Sequence, residues 1–434
     1  MGTSVKSIED PCLRHAPVSK VALVGFGTVG SAVARLLYAR DAEHSLQITQ
    51  ICNRRVERKK VDWVPEDVVW TEDIEQVLAS DADVLVELVG GVKPAYDWVS
   101  RALKSGKSVV TANKQLMAHH GTELLELARE CGQHLAFGAS VAGGIPVLSG
   151  LHEGLGGDRL LKITGILNGT CNFILTKIER TGSTFEAALA EAQQAGFAEA
   201  DPTDDVDGFD ARAKLVILAR FGLNAEARPD QVPAFSIRNI DGIDFQYAHE
   251  LNCTIRQISR AELRDGKLYA TVEPALVPQD SPLAFVSGSQ NLVISTGEFG
   301  GDTVFSGFGA GGNPTAVAVV SDLLHLVRYR AKGTAEPDRP TATKYTVTGD
   351  FENLYSVRFV VKDSPGIIAS IAAVFSKHHI NIDAVFQKSG FPKDALPFVI
   401  TLEPCRFSKL EAALKEIGQF PFHVHPPFSM PVLR

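Results

Sequence analysis

The chain has 434 residues, of which 45% are apolar and 22% charged, and its formal net charge is −8. This length favours two or three domains, and the composition is that of a globular protein able to build cores. The acidic balance argues against a nucleic-acid partner, because no basic excess is present to neutralise phosphates. No apolar stretch reaches bilayer length and the six cysteines lie far apart, so we expect no membrane partner and a reducing, cytoplasmic location.

Short β-rich runs alternate with helical stretches in the first third of the chain. The predicted strands are 21–24, 48–52, 84–89, 108–111 and 135–141, and the first predicted helix is 31–40. Such alternation predicts parallel strands joined by helical crossovers, which is a doubly wound, Rossmann-type α/β domain. We place this NAD(P)-binding domain at residues 18–143 and expect a helix from 313–330 to complete it.

Beyond residue 143 the pattern becomes mixed. Helical runs (183–195, 211–221) and strand-like runs (268–276, 292–296) predict an α+β substrate-binding and dimerisation domain over 144–312. Asn313 followed by Pro314 has the form of a helix N-cap and first turn. A linker is expected at 331–350. The order strand, helix, strand, strand, helix, strand then predicts a ferredoxin-like unit over 351–434.

A glycine pattern lies between the first strand and the first helix, reading Gly25-Phe26-Gly27-Thr28-Val29-Gly30. With these flanks it predicts a dinucleotide site. Gly25 permits the tight turn, Gly27 lets the backbone approach a pyrophosphate, and Gly30 lets the helix pack on the strand. The helix N-terminus adds free N–H groups for the phosphates. A glycine turn in a ligand-free domain is the alternative.

The turn after the second strand indicates which dinucleotide is preferred. NAD-selective sites place Asp or Glu there, whereas this chain reads Cys52-Asn53-Arg54-Arg55. Arg54 and Arg55 suit a 2′-phosphate, which a guanidinium can grip bidentately. We therefore predict NADP as the cofactor, with NAD possible. A solvated basic turn is the alternative interpretation.

Two further segments carry candidate catalytic groups. Lys114 follows the fourth strand, at the sheet edge where α/β proteins bind ligands, although a surface lysine opening a helix is equally compatible with that position. Several acids then precede Lys214, and Asp210 lies four residues before it, on the same helix face. An ordinary surface ion pair is the alternative there. A calcium loop is rejected because its acid spacing is absent.

These segments together resemble the homoserine dehydrogenase family. The resemblance covers about residues 18–330 and rests on distinct motifs at 111–114, 139–146, 165–170, 192–214 and 307–316. It implies reversible NAD(P)H-dependent reduction of L-aspartate 4-semialdehyde to L-homoserine, on the route to threonine, methionine and isoleucine.

The resemblance also implies roles for single residues. Hydride transfer to an aldehyde leaves negative charge on oxygen, which needs a proton donor or a cation nearby. Lys214 is implied as the proton donor, and Lys114 as the group that polarises the carbonyl and contacts the cofactor. The substrate-binding acids implied are Glu199, Asp205 and Asp210. A second cofactor contact is implied at Gly309 and Gly311.

A monovalent-cation site is the one family feature from which this sequence departs. The family often binds sodium or potassium near the hinge through an acidic side chain and main-chain carbonyls. The carbonyls implied here are those of Val141, Gly143 and Ile145. Gly138 stands where the acid is usual, so the implied ion site is weaker than in the family or absent.

The C-terminal unit, with its turn at 363–366, resembles an ACT domain. ACT domains imply amino-acid binding, and we expect feedback inhibition by threonine and a homodimer or homotetramer. A purely structural dimerisation module is the alternative. For the whole chain, another aldehyde oxidoreductase on this scaffold or an inactive amino-acid and nucleotide sensor are the competing hypotheses. The ordered acids before Lys214 argue against both, and a turnover assay separates enzyme from sensor.

Overall fold

The computed structural model describes residues 18–39, 45–332 and 342–433. These residues form two compact units. The first contains the chain up to Gly157 together with Val216–Pro229 and Phe305–Thr343, and the second contains Asp158–Leu215, Asp230–Val304 and the chain from Lys344. Residues 333–341 of the expected linker lie outside the described residues.

The strands are β1 (Ser19–Val24), β2 (Leu46–Cys52), β3 (Val69–Thr71), β4 (Val84–Glu87), β5 (Ser108–Thr111), β6 (Leu135–Ala136), β7 (Leu160–Ile166), β8 (Ala225–Glu226), β9 (Cys253–Arg264), β10 (Lys267–Pro278), β11 (Gln290–Gly297), β12 (Gly301–Phe308), β13 (Thr343–Lys344), β14 (Thr346–Thr348), β15 (Glu352–Val361), β16 (Ile382–Gln387), β17 (Leu396–Arg406) and β18 (His423–Val432). The helices are α1 (Thr28–Ala39), α2 (Ile74–Leu78), α3 (Ala95–Lys104), α4 (Lys114–Glu130), α5 (Val147–Ser149), α6 (Gly169–Thr181), α7 (Phe185–Gln194), α8 (Thr203–Val206), α9 (Phe209–Gly222), α10 (Gly242–Glu250), α11 (Gly312–Lys332), α12 (Ile367–Lys377) and α13 (Phe407–Ile417).

The first unit contains a parallel sheet in the order β3-β2-β1-β4-β5-β6. This is the Rossmann-type order, so the predicted fold class is confirmed. The strand order reverses between β1 and β4, and ligands of open α/β sheets bind at such a switch point. Helix α11 adds Val319 and Leu323 to the core that holds Leu23 and Val33, because all four side chains are fully buried in one cluster.

Several predicted boundaries in this unit are wrong; the first helix, for example, begins at Thr28 and not at residue 31. The strand predicted at 135–141 ends at Ala136, because Gly138–Ser140 forms a tight 3-10 turn. The strand predicted at 84–89 ends at Glu87, whose carboxylate accepts the N–H groups of Val89 and Gly90 in the following loop. Helix α11 begins at Gly312 rather than Asn313, after Gly311 with φ 115°. The short strand β3 was not predicted, since three residues carry no periodic signal.

The second unit is built on a long mixed sheet in the order β12-β11-β7-β9-β10-β18-β15-β17-β16. Its last four strands, with α12 and α13, have the predicted β-α-β-β-α-β order. Large apolar side chains of both helices and of three strands form one core there, among them Phe359, Ile371, Phe398 and Leu410. The ferredoxin-like prediction for the C-terminal region is therefore confirmed. No helix in the described ranges is long and apolar enough to cross a bilayer.

The C-terminal region shares its core with the rest of the second unit. Val432 of β18 pairs with Leu276 of β10, and Met430 is buried in the same cluster as Ile255. Helix α10 adds polar contacts, since the Tyr247 hydroxyl donates to the Pro397 carbonyl at 3.0 Å. The region is thus an integral part of this unit, and removing it would expose apolar surface.

A buried ion pair between Asp244 and Arg358 also joins α10 to β15, at 2.8 Å. Burial raises the pKa of Asp244 to about 6, although Arg358 lowers it. Because the folded pKa lies above the ordinary value, the stability contributed by this carboxyl is full at low pH. It is lost as the pH rises through about 6.

Replacing Arg358 with methionine is expected to destabilise the protein by about 3–5 kcal/mol at pH 8 and by much less at pH 5. The reason is that the buried carboxylate loses its cation only where it is ionised. Denaturant unfolding at the two pH values measures the difference. The double variant Asp244→Asn with Arg358→Met is the control, and it should lose the pH dependence. An equal loss at both pH values in the single variant would contradict the argument.

Candidate active site

The glycine loop of the first unit has the shape that its sequence predicts. Gly25 adopts φ 105°, and a Cβ placed there would lie 2.9 Å from the carbonyl carbon of Leu88. A Cβ at Gly30 would lie 2.1 Å from the Gly25 carbonyl oxygen. At Gly27 a Cβ would meet no atom within 4 Å. Packing therefore requires two of the three glycines, whereas Gly27 borders open space at the N-terminus of α1, as a phosphate site needs.

The second predicted glycine segment lies against this loop. A Cβ at Gly312 would lie 2.9 Å from the Thr28 side chain, and Gly311 precedes it in a left-handed conformation. A Cβ at Gly143 would approach the Gly309 carbonyl oxygen to 2.5 Å. The structure thus brings Gly312, the neighbour of Gly311, against Thr28 of the glycine loop, although 284 residues separate them in sequence, and it brings Gly309 against Gly143.

The basic turn after β2 is anchored to the same loop. The Asn53 side chain accepts the Phe26 N–H at 2.8 Å and donates to the Arg54 carbonyl at 2.6 Å. Arg54 and Arg55 are exposed, and Arg55 has a left-handed backbone with φ 60°. Neither guanidinium forms an ion pair with any residue in the described ranges. Asn53 therefore holds two solvent-exposed positive charges next to the glycine loop.

At the carboxyl ends of β4 and β5, the chain up to Lys114 is held by buried polar groups. Glu87 is fully buried, and its carboxylate accepts the hydroxyl of Thr111 at 2.7 Å. Asn113 caps α4 by accepting the Leu116 N–H at 3.0 Å, so Lys114 is the first residue of that helix. Sequence reasoning missed Glu87. The signal was available, because an acid at the end of an otherwise apolar strand is rarely buried without a role.

The second unit holds the other lysine in a buried polar cluster. Lys214 donates to the Asp210 carboxylate at 2.7 Å and to the Leu167 carbonyl at 2.8 Å. The side chains of Lys214 and Asp210 are only 10% and 4% exposed. The surface ion-pair interpretation is therefore wrong for this pair. An ammonium held by two acceptors keeps one N–H for a further partner.

Asn168 joins two of the predicted acids to each other. Its amide donates to the Asp205 carboxylate at 2.7 Å and to the Asp210 carboxylate at 2.9 Å, while its oxygen caps α6. Sequence reasoning quoted the motif that contains Asn168 without giving this residue a role. Burial, together with the nearby carboxylates, raises the pKa of the neighbouring Cys171 thiol well above the ordinary value, which disfavours the reactive thiolate.

Glu199 is not joined to this cluster in the structure. Its side chain is exposed, and only its carbonyl is held, by the Gln193 side chain at 3.0 Å. Within the described part of the chain its carboxylate makes no contact with Lys214 or Asp210. The role implied for Glu199 in substrate binding therefore stays a prediction.

The segment implied as a cation site is buried and conformationally unusual. Ala142 and Gly143 both have positive φ, at 56° and 50°, which is strained for alanine. The Val141 and Gly143 carbonyls accept no hydrogen bond from other described residues, whereas the Ile145 carbonyl accepts the Val147 N–H at 2.7 Å. Buried carbonyls without donors fit a hard cation, which prefers oxygen ligands.

The missing acid at position 138 has a neighbour that could replace it. The Gly138 N–H donates to the Asp322 carboxylate at 2.8 Å, and a Cβ at Gly138 would lie 2.8 Å from the other carboxylate oxygen. A carboxylate is thus present beside Gly138, although it comes from α11. No cluster of three or more His, Cys, Asp or Glu side chains suited to a metal occurs among the residues described.

Three family models match this chain. The model described as "Homoserine dehydrogenase, NAD binding domain" matches residues 25–138, and that described as "Homoserine dehydrogenase" matches residues 146–324. The model described as "ACT domain" matches residues 355–422. The match to the NAD-binding domain contains the glycine loop and Lys114. The match to residues 146–324 contains Asp210 and Lys214.

Individual relatives of the chain belong to the same family as these models. The chain is 38% identical to a homoserine dehydrogenase of Bacillus subtilis over 379 residues, which are 85% of this chain and 87% of that protein. It is 40% identical to one of Mycobacterium bovis over 382 residues, covering 85% and 86%. A solved homoserine dehydrogenase of Thiobacillus denitrificans superposes with a TM-score of 0.88 at 30% identity, covering 96% and 98% of the chains. A hyperthermophilic archaeal homoserine dehydrogenase in complex with NADPH superposes with a TM-score of 0.62 at 28% identity, covering 71% and 98%.

Proposed function

The chain belongs to the homoserine dehydrogenase family, and from this membership we propose that it reduces L-aspartate 4-semialdehyde reversibly to L-homoserine with NADPH. The reaction would serve threonine, methionine and isoleucine biosynthesis, in the cytoplasm. The observation that carries the proposal is the buried pair of Lys214 and Asp210, with the Leu167 carbonyl as second acceptor. This arrangement holds an ammonium in place for proton transfer.

The bound cofactor supplies a hydride, and the chain's own residues supply the proton and the orientation. In the direction of reduction the aldehyde oxygen becomes an alkoxide and needs one proton, which we assign to the Lys214 ammonium. Lys114 polarises the carbonyl by its positive charge. Glu199, Asp205 and Asp210 bind the substrate's α-ammonium, and Asp210 also orients Lys214. In the reverse direction the neutral amine of Lys214 takes the proton back.

The assay that tests this proposal follows NADPH oxidation with L-aspartate 4-semialdehyde and the reverse reaction with L-homoserine. Turnover in both directions supports the enzyme. A folded protein that binds NADPH and an amino acid without turnover would favour the inactive sensor. Turnover of simple aldehydes at a similar kcat/KM would favour a broader oxidoreductase.

NADP preference rests on Arg54 and Arg55, which are exposed and held beside the glycine loop through Asn53. Among the structural neighbours, the archaeal homoserine dehydrogenase is complexed with NADPH. Replacing both arginines with alanine should weaken NADPH binding by about ten- to hundredfold, because charge-assisted hydrogen bonds to the 2′-phosphate are lost. NADH binding should change little.

Titration of both cofactors by calorimetry measures this selectivity. Replacing Lys59 and Lys60 with alanine is the matched control, since these exposed cations lie five residues further along the chain and their replacement removes the same net charge. An equal loss of affinity for NADPH and NADH in the arginine variant would refute the selectivity argument.

A sodium or potassium ion is a further proposal for the segment from Val141 to Ile145. Its support is the pair of buried carbonyls without donors and the Asp322 carboxylate beside Gly138. Such an ion would satisfy these oxygens and rigidify the segment next to Gly309. Comparing the thermal melting temperature in sodium, potassium and choline chloride at equal ionic strength tests it, with Asp322→Asn as the variant that should lose any difference.

We also propose threonine as an effector of the C-terminal region. A cavity of about 540 Å³ lies at the end of α12 and the start of β16, large enough for an amino acid. Its lining includes Ser376, His379 and Asn381, which can hydrogen-bond a polar ligand. Inhibition of turnover by L-threonine, compared with L-serine and L-valine, tests this. A homodimer or homotetramer is expected, and sedimentation distinguishes the two.

A further inference from the structure

A closed circuit of hydrogen bonds joins the loop after β4 to the segment after β5. The Glu87 carboxylate accepts the Val89 and Gly90 N–H groups with one oxygen, at 2.7 and 3.0 Å. Its other oxygen accepts the Thr111 hydroxyl at 2.7 Å. The Thr111 hydroxyl oxygen in turn accepts the Asn113 N–H at 3.0 Å.

Asn113 closes the circuit. Its side-chain amide donates to the Gly91 carbonyl at 2.6 Å, which returns the path to the loop that begins at Glu87. The same side chain caps α4 with its oxygen. Glu87 and Thr111 are fully buried and Asn113 is 5% exposed, so water does not compete with the bonds from Glu87 to Thr111 and from Thr111 to Asn113. The bonds to Val89, Gly90 and Gly91 lie at the exposed end of the circuit.

The circuit also reaches the glycine loop. Glu87 pairs in register with Val24, the residue before Gly25. The next residue, Leu88, donates its N–H to the Val24 carbonyl at 2.8 Å and packs against Gly25. The loop that Glu87 holds is therefore in contact with the predicted phosphate site at one end and with the segment that precedes Lys114 at the other.

We infer that Glu87, Thr111 and Asn113 are positioning residues that fix Lys114 relative to the cofactor loop, an inference that rests on the proposed role of Lys114. Capping of α4 needs only the Asn113 oxygen. The three hydrogen bonds that the Glu87 carboxylate accepts, and the bond from the Asn113 amide to the Gly91 carbonyl, go beyond that need. A lysine side chain is long and flexible, so its start point must be held if its ammonium is to reach the same place in each turnover.

Thr111→Val tests the circuit because it removes the hydroxyl and keeps the side-chain volume. We expect kcat to fall by about ten- to hundredfold, as a misplaced catalytic group costs, while the Kd for NADPH changes much less. Thr111→Ser retains the hydroxyl and should restore kcat. Thr401→Val is the matched control: it removes a buried hydroxyl that donates to the Asp383 carboxylate at 2.9 Å in the C-terminal region, and it should leave kcat unchanged.

A double-mutant cycle with Lys114→Met separates this inference from the proposed function. If the circuit acts through Lys114, Thr111→Val should have no further effect on kcat in the Lys114→Met background. If the double variant instead lost kcat by the product of the two single-variant losses, the effect of Thr111→Val would be independent of Lys114, and the inference would be overturned. Unchanged turnover in Lys114→Met alone would instead overturn the proposed role of Lys114.

Asn113→Asp provides a second variant in case Thr111→Val does not fold. It keeps an oxygen to cap α4 but loses the amide donor to the Gly91 carbonyl. The expected result is normal helix content and a lowered thermal stability, because a carboxylate oxygen would face the Gly91 carbonyl oxygen, with reduced kcat that again is not additive with Lys114→Met. Wild-type kcat in this variant would show that the circuit does not position Lys114.

Discussion

Replacing Lys214 with methionine is expected to lower kcat by about 10²- to 10⁴-fold in both directions, while NADPH still binds. The variant removes the proposed proton donor and retains an unbranched side chain of similar length. Nothing in the first unit, which holds the glycine loop, is altered. Steady-state turnover together with NADPH titration measures the two effects separately.

Stability must be separated from chemistry in this experiment, because Lys214→Met also leaves the Asp210 carboxylate buried without its cation. Breaking a buried pair costs about 3–5 kcal/mol, so the variant should unfold more readily. The double variant Lys214→Met with Asp210→Asn removes both charges. It should recover most of the lost stability and none of the lost turnover.

Lys177→Met is the matched surface control. Lys177 forms an ion pair with Glu191 at 2.8 Å in the same unit, with both side chains about one-third to one-half exposed. Its loss should alter stability by less than about 1 kcal/mol and leave kcat unchanged. If Lys214→Met retained wild-type turnover, the proton would come from another group and the proposed mechanism would fail.

Two glycine substitutions in the nucleotide loop are expected to have different effects. Gly30→Ala should lower the melting temperature and abolish NADPH binding, because its Cβ would lie 2.1 Å from the Gly25 carbonyl oxygen and the loop would have to move. Gly27→Ala should leave the melting temperature unchanged, since its Cβ meets no atom within 4 Å. It should nevertheless weaken NADPH by about tenfold or more, because the methyl group occupies the space through which a pyrophosphate approaches.

Gly157→Ala is the control for the second substitution. Its Cβ also meets no atom within 4 Å, and its backbone is not left-handed, so neither stability nor cofactor binding should change. Thermal melting and cofactor titration on the three variants complete the test. Wild-type affinity for NADPH in Gly27→Ala would show that the cofactor does not approach the backbone at this position.

The C-terminal region cannot be removed without affecting the rest of the second unit. Because β18 lies between β10 and β15 and Met430 is buried beside Ile255, a truncation would disturb the unit that carries Lys214. Loss of activity in a truncated chain would therefore say nothing about an effector. Single substitutions at the cavity near Ser376 leave the shared core intact and are the better experiment.

The sequence by itself determined the features that depend on short stretches of chain. The Rossmann-type order of elements, the glycine loop and the shared helix face of Asp210 and Lys214 follow from local periodicity, turn chemistry and a four-residue spacing. The ferredoxin-like order of the C-terminal region was predictable for the same reason. The family resemblance extended these motifs to a reaction class, and the comparisons confirm it.

Only the tertiary structure decided which distant groups meet. The circuit from Glu87 to Asn113 joins the ends of two strands, Asn168 bridges two acids about forty residues away, and Asp322 reaches Gly138 across 184 residues. No local pattern carries such information, because hydrogen bonds between segments depend on how the sheets and helices pack. The boundary error at 135–141 has the same origin, since the contact with Asp322 accompanies a turn where the apolar run alone predicts a strand.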